Sequence, residues 1–498
     1  WWATRLCDLT GNSEQNLPVG GEQGVRREKS AQWHDWIYRR IEENAPYDEI
    51  VAGIVLAVSR RPGQTDDEYF TEMSSYFRED DPGDFAARET MPYFWTRGRF
   101  SPPQSLRFSY AFLGIRLECA KCHKHPFDQW TKEDHDGFQI FFENVRYKHQ
   151  NRKLVSAMKK DLGLTADQDS GEYKRLFARL AAEGTTVPWQ EVRVPAEWGK
   201  RRKANARKQA VAGRVITPKL LGGEQVIAEQ YDDPREPLMQ WLRQPDNPYF
   251  ARAIVNRVWA NYFGTGIINP PDDMNLANPP SNGPLLDHLA EEFVARGYDL
   301  KWLHREITGS RTYQSSWRPN DTNLRDERNF SRALVRRLPA EVAYDALIFA
   351  TAADDSLRAM QTDPATVRSR AIGVGTDDGN YALKLFGEPA REQLCDCERS
   401  NEPSLLQTLY LRNDPELLAL LDRKDGWLRQ VSRQEPAWLD AHRDELIQQA
   451  YLRTFSRPPT DDELTTCREH FHQAEDAIAA LRDLLWALLN SKEFILNH

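Results

Sequence analysis

No stretch of this chain approaches the roughly eighteen consecutive apolar residues that a membrane-spanning helix requires, and its mean hydropathy is −0.70. Positive charge is not in excess either: 66 Lys and Arg stand against 75 Asp and Glu, a net charge of −9. That balance excludes a general nucleic-acid binder, which presents a basic face. The sequence contains no phosphate loop, no serine elbow and no internal repeat. Gly373, Gly375 and Gly379 lack the preceding strand and the spacing of a dinucleotide fingerprint. Cysteine is scarce, with 6 in 498 residues, so each one carries weight. The chain begins at Trp1 with no methionine or signal peptide, and reads as a mature or trimmed fragment whose missing segment could hold a signal, an anchor or another domain.

At 498 residues the length exceeds one ordinary core and implies two or three domains. A hydrophobic fraction of 40%, with 11% aromatic residues, suffices to build them, which excludes wholesale disorder. The 15 Trp are numerous enough to line a cofactor or a sugar, although in a large helical protein most simply pack. One basic run, Lys200, Arg201, Arg202, Lys203, Arg207 and Lys208, reads as a solvated helix or loop.

Two of the six cysteines stand in the run Cys119, Ala120, Lys121, Cys122, His123, the spacing that attaches a c-type haem. Two thiols three positions apart on one helical turn can each form a thioether to a haem vinyl group, and the adjacent imidazole then lies beneath the iron. Random placement of 6 Cys and 11 His would rarely produce this pattern. Zinc is the rival, because His125 follows closely, and a redox-active or merely buried cysteine pair is the remaining reading. A zinc site usually draws a second ligand pair from elsewhere, and Cys395 and Cys397, with one residue between them, suit that arrangement poorly.

Apolar residues at spacings of three and four recur at 33–41, 106–117, 250–263, 285–294, 340–350, 405–411, 440–452 and 477–494. The expected fold is mainly α, a multi-helical two-domain protein with a small β-containing insertion between the domains. The first domain covers 1–147. Its apolar stripe from Phe108 to Leu117 places the haem motif at the C-terminal end of a helix. After Pro126 the chain restarts at Thr131 with Asp134 three residues on, a capping box. Phe138, Phe141 and Phe142 either cover one side of a porphyrin or pack in the core. A charged connecting module follows at 148–235, with β-like pieces at 192–194 and 214–220. The second helical domain, 236–498, is interrupted by a loop at 269–284 dense in Pro and Asn. There Asp272 and Asp273 could bind a cation or serve as acid and base; helix capping by an Asp or Asn of the loop is the alternative.

Covalent haem attachment takes place outside the cytoplasm, so the motif carries an expectation of export. The remaining cysteines, Cys7, Cys395, Cys397 and Cys467, would then meet oxidising conditions and can pair in three ways. On an extended chain a bridge from Cys395 to Cys397 sits near the limit of disulfide reach, and the expected pairing joins one of them to Cys7.

The segment FLGIRLECAKCHKHPFD at 112–128, followed by Trp130, resembles the cytochrome-like domain of exported proteins from planctomycetes and related bacteria. The second half resembles the domain that accompanies it there, through NPYFARAIVNRVWANYFG from Asn247, the PPDDMN loop, SRTYQSS from Ser310, CERSNEP from Cys397 and WALLNSKEF from Trp486. The resemblance covers most of the chain, least so 148–235, and both domains are of unknown function. It implies export, one covalent haem c on Cys119 and Cys122 with His123 as axial ligand, and frequent company with secreted sulfatases and carbohydrate-degrading proteins. Relatives usually begin further upstream. No catalytic residue can be carried over.

The sixth ligand decides what such a haem does. A strong ligand confines it to passing electrons, and an open position admits peroxide, oxygen or substrate. Met91, His149, His135 and Met274 are the candidates. His125 cannot easily reach the opposite haem face; it could contact a propionate or shuttle protons with Asp128 orienting its ring, or be structural. The favoured expectation is an exported haem c redox protein engaged in electron transfer with a partner protein. The alternatives are a haem-dependent oxidoreductase acting on an extracellular carbohydrate, and a non-redox glycan-binding or structural surface protein.

Overall fold

The helix expected at 250–263 forms with those bounds, Phe250–Phe263, and closes at Gly264 in the left-handed conformation. In this computed structural model the described residues are all except 16, 18–22, 97–101, 165–169, 196–197, 199–215, 363–380, 393–394, 400–414 and 498. The basic run at 200–208, the glycines at 373–379 and the periodic stretch at 405–411 lie outside them. The protein is mainly α, and its strands form two antiparallel two-stranded sheets among the described residues: Arg146–Lys148 with Glu191–Arg193, and Arg336–Arg337 with Leu496–Asn497. No described helix is long and apolar enough to cross a membrane.

The chain divides into two compact units. One comprises Trp2–Ala333 with Ala390–Asp396; the other comprises Leu334–Pro389 and Cys397–His498, with Trp1. The larger unit therefore takes in all three expected segments as far as Ala333. Its core joins residues from Leu6 through Trp36, Phe108, Phe138, Trp198 and Ile254 to Leu303, each almost wholly buried. The smaller unit packs helices Ala340–Thr351, Arg443–Phe455 and Ala477–Leu489 around Leu347, Ile447, Leu481 and Leu485.

Local chemistry explains where helices begin. Thr131 accepts from the Asp134 N–H at 3.2 Å while Asp134 accepts from the Thr131 N–H at 2.9 Å, so the expected capping box opens Lys132–Gln139. Thr65 and Thr460 open Asp66–Ser75 and Asp461–Gln473 in the same way. The helix Gly283–Ala295 is capped by Asn282, so the capping expected of an Asp or Asn in this loop falls to the asparagine, and Asp272 and Asp273 cap no described helix.

One helix ends early. The stripe at 106–117 is regular only over Gln104–Phe108, widens to a π-turn over Ser109–Leu113, and stops at Gly114 with φ 64°. The haem-type motif is thus not at a helix terminus. A Cβ on Gly114 would stand 3.0 Å from the Met274 sulfur and 3.4 Å from the Ala253 Cβ, and the Gly114 carbonyl accepts from the Met274 N–H at 2.9 Å. The close approach of the 269–284 loop, together with the left-handed turn, requires glycine at this point.

Candidate functional site

Beyond Gly114 the chain alternates buried and outward residues. Ile115 and Leu117 are anchored in the core, and Arg116 between them is partly exposed. Cys119–Lys121 then forms a single 3-10 turn pinned by fully buried Ala120. This leaves Cys119 half-buried and Cys122 exposed, both as free thiols. The exposed His123 places its Nδ1 2.7 Å from the Lys124 carbonyl oxygen. An acceptor there fixes the proton on Nδ1 and leaves the Nε2 lone pair available.

His125 has a different environment. It is buried, its backbone N–H donates to the Trp130 carbonyl at 2.7 Å, and its Nδ1 accepts from the Phe127 N–H at 3.3 Å. Asp128 accepts from the Gln129 N–H at 2.8 Å. Partial burial raises the Asp128 pKa, opposed by that backbone hydrogen bond and by the nearby His125.

The donor set can be tested against its two candidate occupants. Cys119, Cys122, His123 and His125 do not converge, since the His125 ring is turned onto its own loop. Among the described residues no group of three or more His, Cys, Asp or Glu gathers to hold an ion. Covalent porphyrin attachment asks less of the segment: two free thiols three positions apart, reachable from outside, and one imidazole with a free Nε2. These residues fit that requirement. Phe138, Phe141 and Phe142 do not offer a porphyrin face. They are interior, with Phe138 and Phe142 edge-on to Phe108 at ring separations of 5.9 and 5.4 Å, and Phe141 against Trp198 at 6.0 Å.

The four candidate sixth ligands are dispersed. Met91 is fully buried and its backbone N–H donates to the Gly53 carbonyl. His149 is half-buried beside the small sheet, with Nδ1 3.2 Å from the Trp189 carbonyl oxygen. His135 lies on the helix Lys132–Gln139, which packs against the motif turn; it is buried, and its Nε2 meets no hydrogen-bond partner among the described residues. Met274 is buried against Gly114.

Met274 and Asp128 both line a cleft of about 200 Å³ with Gln129, Tyr249, Arg252 and Asn278. The motif segment and the 269–284 loop thus meet at one depression. The sequence separates Asp128 from Met274 by 146 residues, which is why reading it left them as unrelated candidates.

A largely buried ionic cluster is built around Asp272. Asp272 has no exposed surface and accepts from Arg116 Nη2 at 2.8 and 2.7 Å and from the Asp396 backbone N–H at 3.1 Å. Asp396 in turn accepts from the Tyr110 hydroxyl at 2.9 Å and from Arg257 Nε at 3.3 Å. Arg257 also donates to the carbonyls of Ala111 at 2.8 Å and Tyr110 at 2.6 Å, two oxygens of the π-turn. Burial raises the Asp272 pKa, as does Asp396, while Arg116 and Arg257 oppose the rise. Asp273 hydrogen-bonds within its own loop, its Oδ1 accepting from Asn275 Nδ2 at 2.7 Å. Arg116, Tyr110, Arg257 and Asp396 were not singled out from sequence; the signal available was an arginine set inside an apolar helix, at Arg257.

The expected Cys7 disulfide is not formed. Cys7 and Cys467 are buried free thiols, burial pushing the Cys7 thiol up to about 12. Cys395 and Cys397 are disulfide-bonded, and with four of the six cysteines free they bond to each other. The expectation assumed an extended chain, whereas Asp396–Glu398 is a 3-10 turn, which shortens the distance between alternate residues.

Residues 1–147 match the PSCyt2 family, a protein of unknown function (DUF1549), and residues 234–471 match the PSD1 family, a protein of unknown function (DUF1553). The chain therefore carries the planctomycete-type pair. No curated protein and no solved structure matches it.

Proposed function

We propose that this chain is an exported c-type haem protein with a redox role, and that the role is electron transfer. The observation that carries the reading is the motif turn: free Cys119 and Cys122 reach the surface, and His123 has its Nδ1 held by a carbonyl with Nε2 left over. Cys119 and Cys122 would hold the porphyrin and His123 the iron. A bound haem c supplies reversible one-electron chemistry. This chain's residues orient the imidazole through the Lys124 carbonyl and fix the turn through buried Ala120.

Expression in a host competent for cytochrome maturation tests it. The expected product is coloured, its intact mass exceeds the polypeptide by one haem, and the gain disappears in the Cys119→Ala, Cys122→Ala double variant. A colourless protein with the mass of its polypeptide alone refutes the reading.

One observation favours a second reading, a haem-dependent oxidoreductase acting on an extracellular carbohydrate. The cleft beside the motif segment is walled by Asp128, whose pKa is raised by burial, and by amide and aromatic side chains of the kind that hold a sugar. The two readings separate spectroscopically: a low-spin spectrum unchanged by added ligands belongs to the carrier, and a high-spin or ligand-sensitive spectrum to the enzyme.

A further inference from the structure

The bond between Cys395 and Cys397 closes a ring over three residues only. The stabilisation a disulfide gives through the unfolded chain grows with the length of the loop it closes, so this one is a weak staple. It is also reachable, with Cys397 exposed and Cys395 half-buried, unlike the buried thiols of Cys7 and Cys467. Between the two cysteines stands Asp396, tied to the buried cluster by its N–H to Asp272, by one carboxylate oxygen to Tyr110 and by the other to Arg257. Asp272 in turn holds Arg116, three residues ahead of Cys119.

We propose that Cys395 and Cys397 form a redox-active disulfide, reducible in the folded protein by a dithiol, and that its state sets how firmly Asp396 holds the ionic cluster of Asp272, Arg116, Arg257 and Tyr110. A thiolate of the dithiol attacks the exposed Cys397 sulfur, the Cys395–Cys397 bond breaks, and the Cys395 sulfur leaves as a thiolate that takes up a proton. The second thiol of the reductant then attacks the mixed disulfide. Cys397 is released as a thiol and the reductant departs as its own cyclic disulfide. Two electrons and two protons pass to the protein. With the ring opened, the turn around Asp396 loses its covalent restraint, while Tyr110, Arg257 and Asp272 keep their positions in the core. Nothing in this scheme depends on a haem being bound.

The test uses the full chain under native conditions. Dithiothreitol is added, the protein is alkylated and digested, and labels are located by mass. The expected result is labelling of Cys395 and Cys397 while Cys7 and Cys467 stay unlabelled. Amide hydrogen exchange in peptides covering 107–117 and 269–275 should quicken at least threefold on reduction. The Cys395→Ser, Cys397→Ser double variant should show the fast pattern without reductant, and Asp396→Asn should show it with the disulfide intact. Labelling of Cys395 and Cys397 only when denaturant also exposes Cys7 overturns the proposal, because the bond is then purely structural. Labelling under native conditions with unchanged exchange overturns the coupling to the cluster.

Discussion

Lys29 offers the sharpest energetic test of how this chain is built. It lies on the helix Gln23–Glu42, is 3% exposed, and sits over the rings of Tyr93 and Trp189 at 5.8 and 5.2 Å. Burial pushes its pKa down from 10.5 to about 8. The unfolded chain therefore keeps its proton between about pH 8 and 10.5 while the folded chain releases it, and stability rises with pH across that window. Below pH 8 the penalty is fully present. A difference of about 2.5 pH units corresponds to about 3 kcal/mol at 1.36 kcal/mol per unit. Lys29→Met removes the charge and keeps an unbranched stem. It also loses the cation–π contacts, worth about 1–2 kcal/mol for a desolvated pair. The net expectation is a gain of about 1–2 kcal/mol at pH 7, shrinking and then reversing as pH approaches 10.5. Urea unfolding of both proteins at pH 7, 8.5 and 10, followed by tryptophan fluorescence, measures it. A variant that is less stable at pH 7 by a margin that does not change with pH would refute the reasoning, for it would show that the ammonium is well accommodated.

Asp272→Ala should destabilise the larger unit by about 1–2 kcal/mol, because the Asp396 N–H loses its buried acceptor and the partly exposed Arg116 loses its partner; an unchanged stability in the same urea titration would show that water or Asp396 replaces it. Gly114→Ala should cost about 1–2 kcal/mol, since a side chain at φ 64° is strained and its Cβ meets the Met274 sulfur; an unchanged unfolding midpoint would mean that Met274 simply moves aside.

Periodicity made the helices legible, and the clearest case is Phe250–Phe263, where apolar residues three and four apart and a terminal glycine agree. The Thr131–Asp134 box was equally plain, because a cap is written in four adjacent residues. The π-turn at Ser109–Leu113 was not. An apolar stripe carries the same pattern through a widened turn as through a regular one, and only the demand of the facing loop on Gly114 ends it. The haem-type spacing was visible at once, as a local motif must be. Asp272 was visible too, but its role was not, since its partners Arg116 and Asp396 lie 156 and 124 residues away. Cys395 and Cys397 misled for a related reason: their pairing depends on a single 3-10 turn that propensity does not announce.

The widened turn at Ser109–Leu113 withdraws the carbonyls of Tyr110 and Ala111 from any helical ladder, and the guanidinium that satisfies both belongs to a helix nearly 150 residues on. The first family match ends at 147 and the second begins at 234, so the debt is incurred in one and settled in the other. Cutting the gene at those limits would strand two polar oxygens in a dry interior and strip Gly114 of the loop it was shaped to receive. Residues 1–147 and 234–333 are thus parts of a single folding object, the larger unit, and neither stretch should be expected to survive expression without the other.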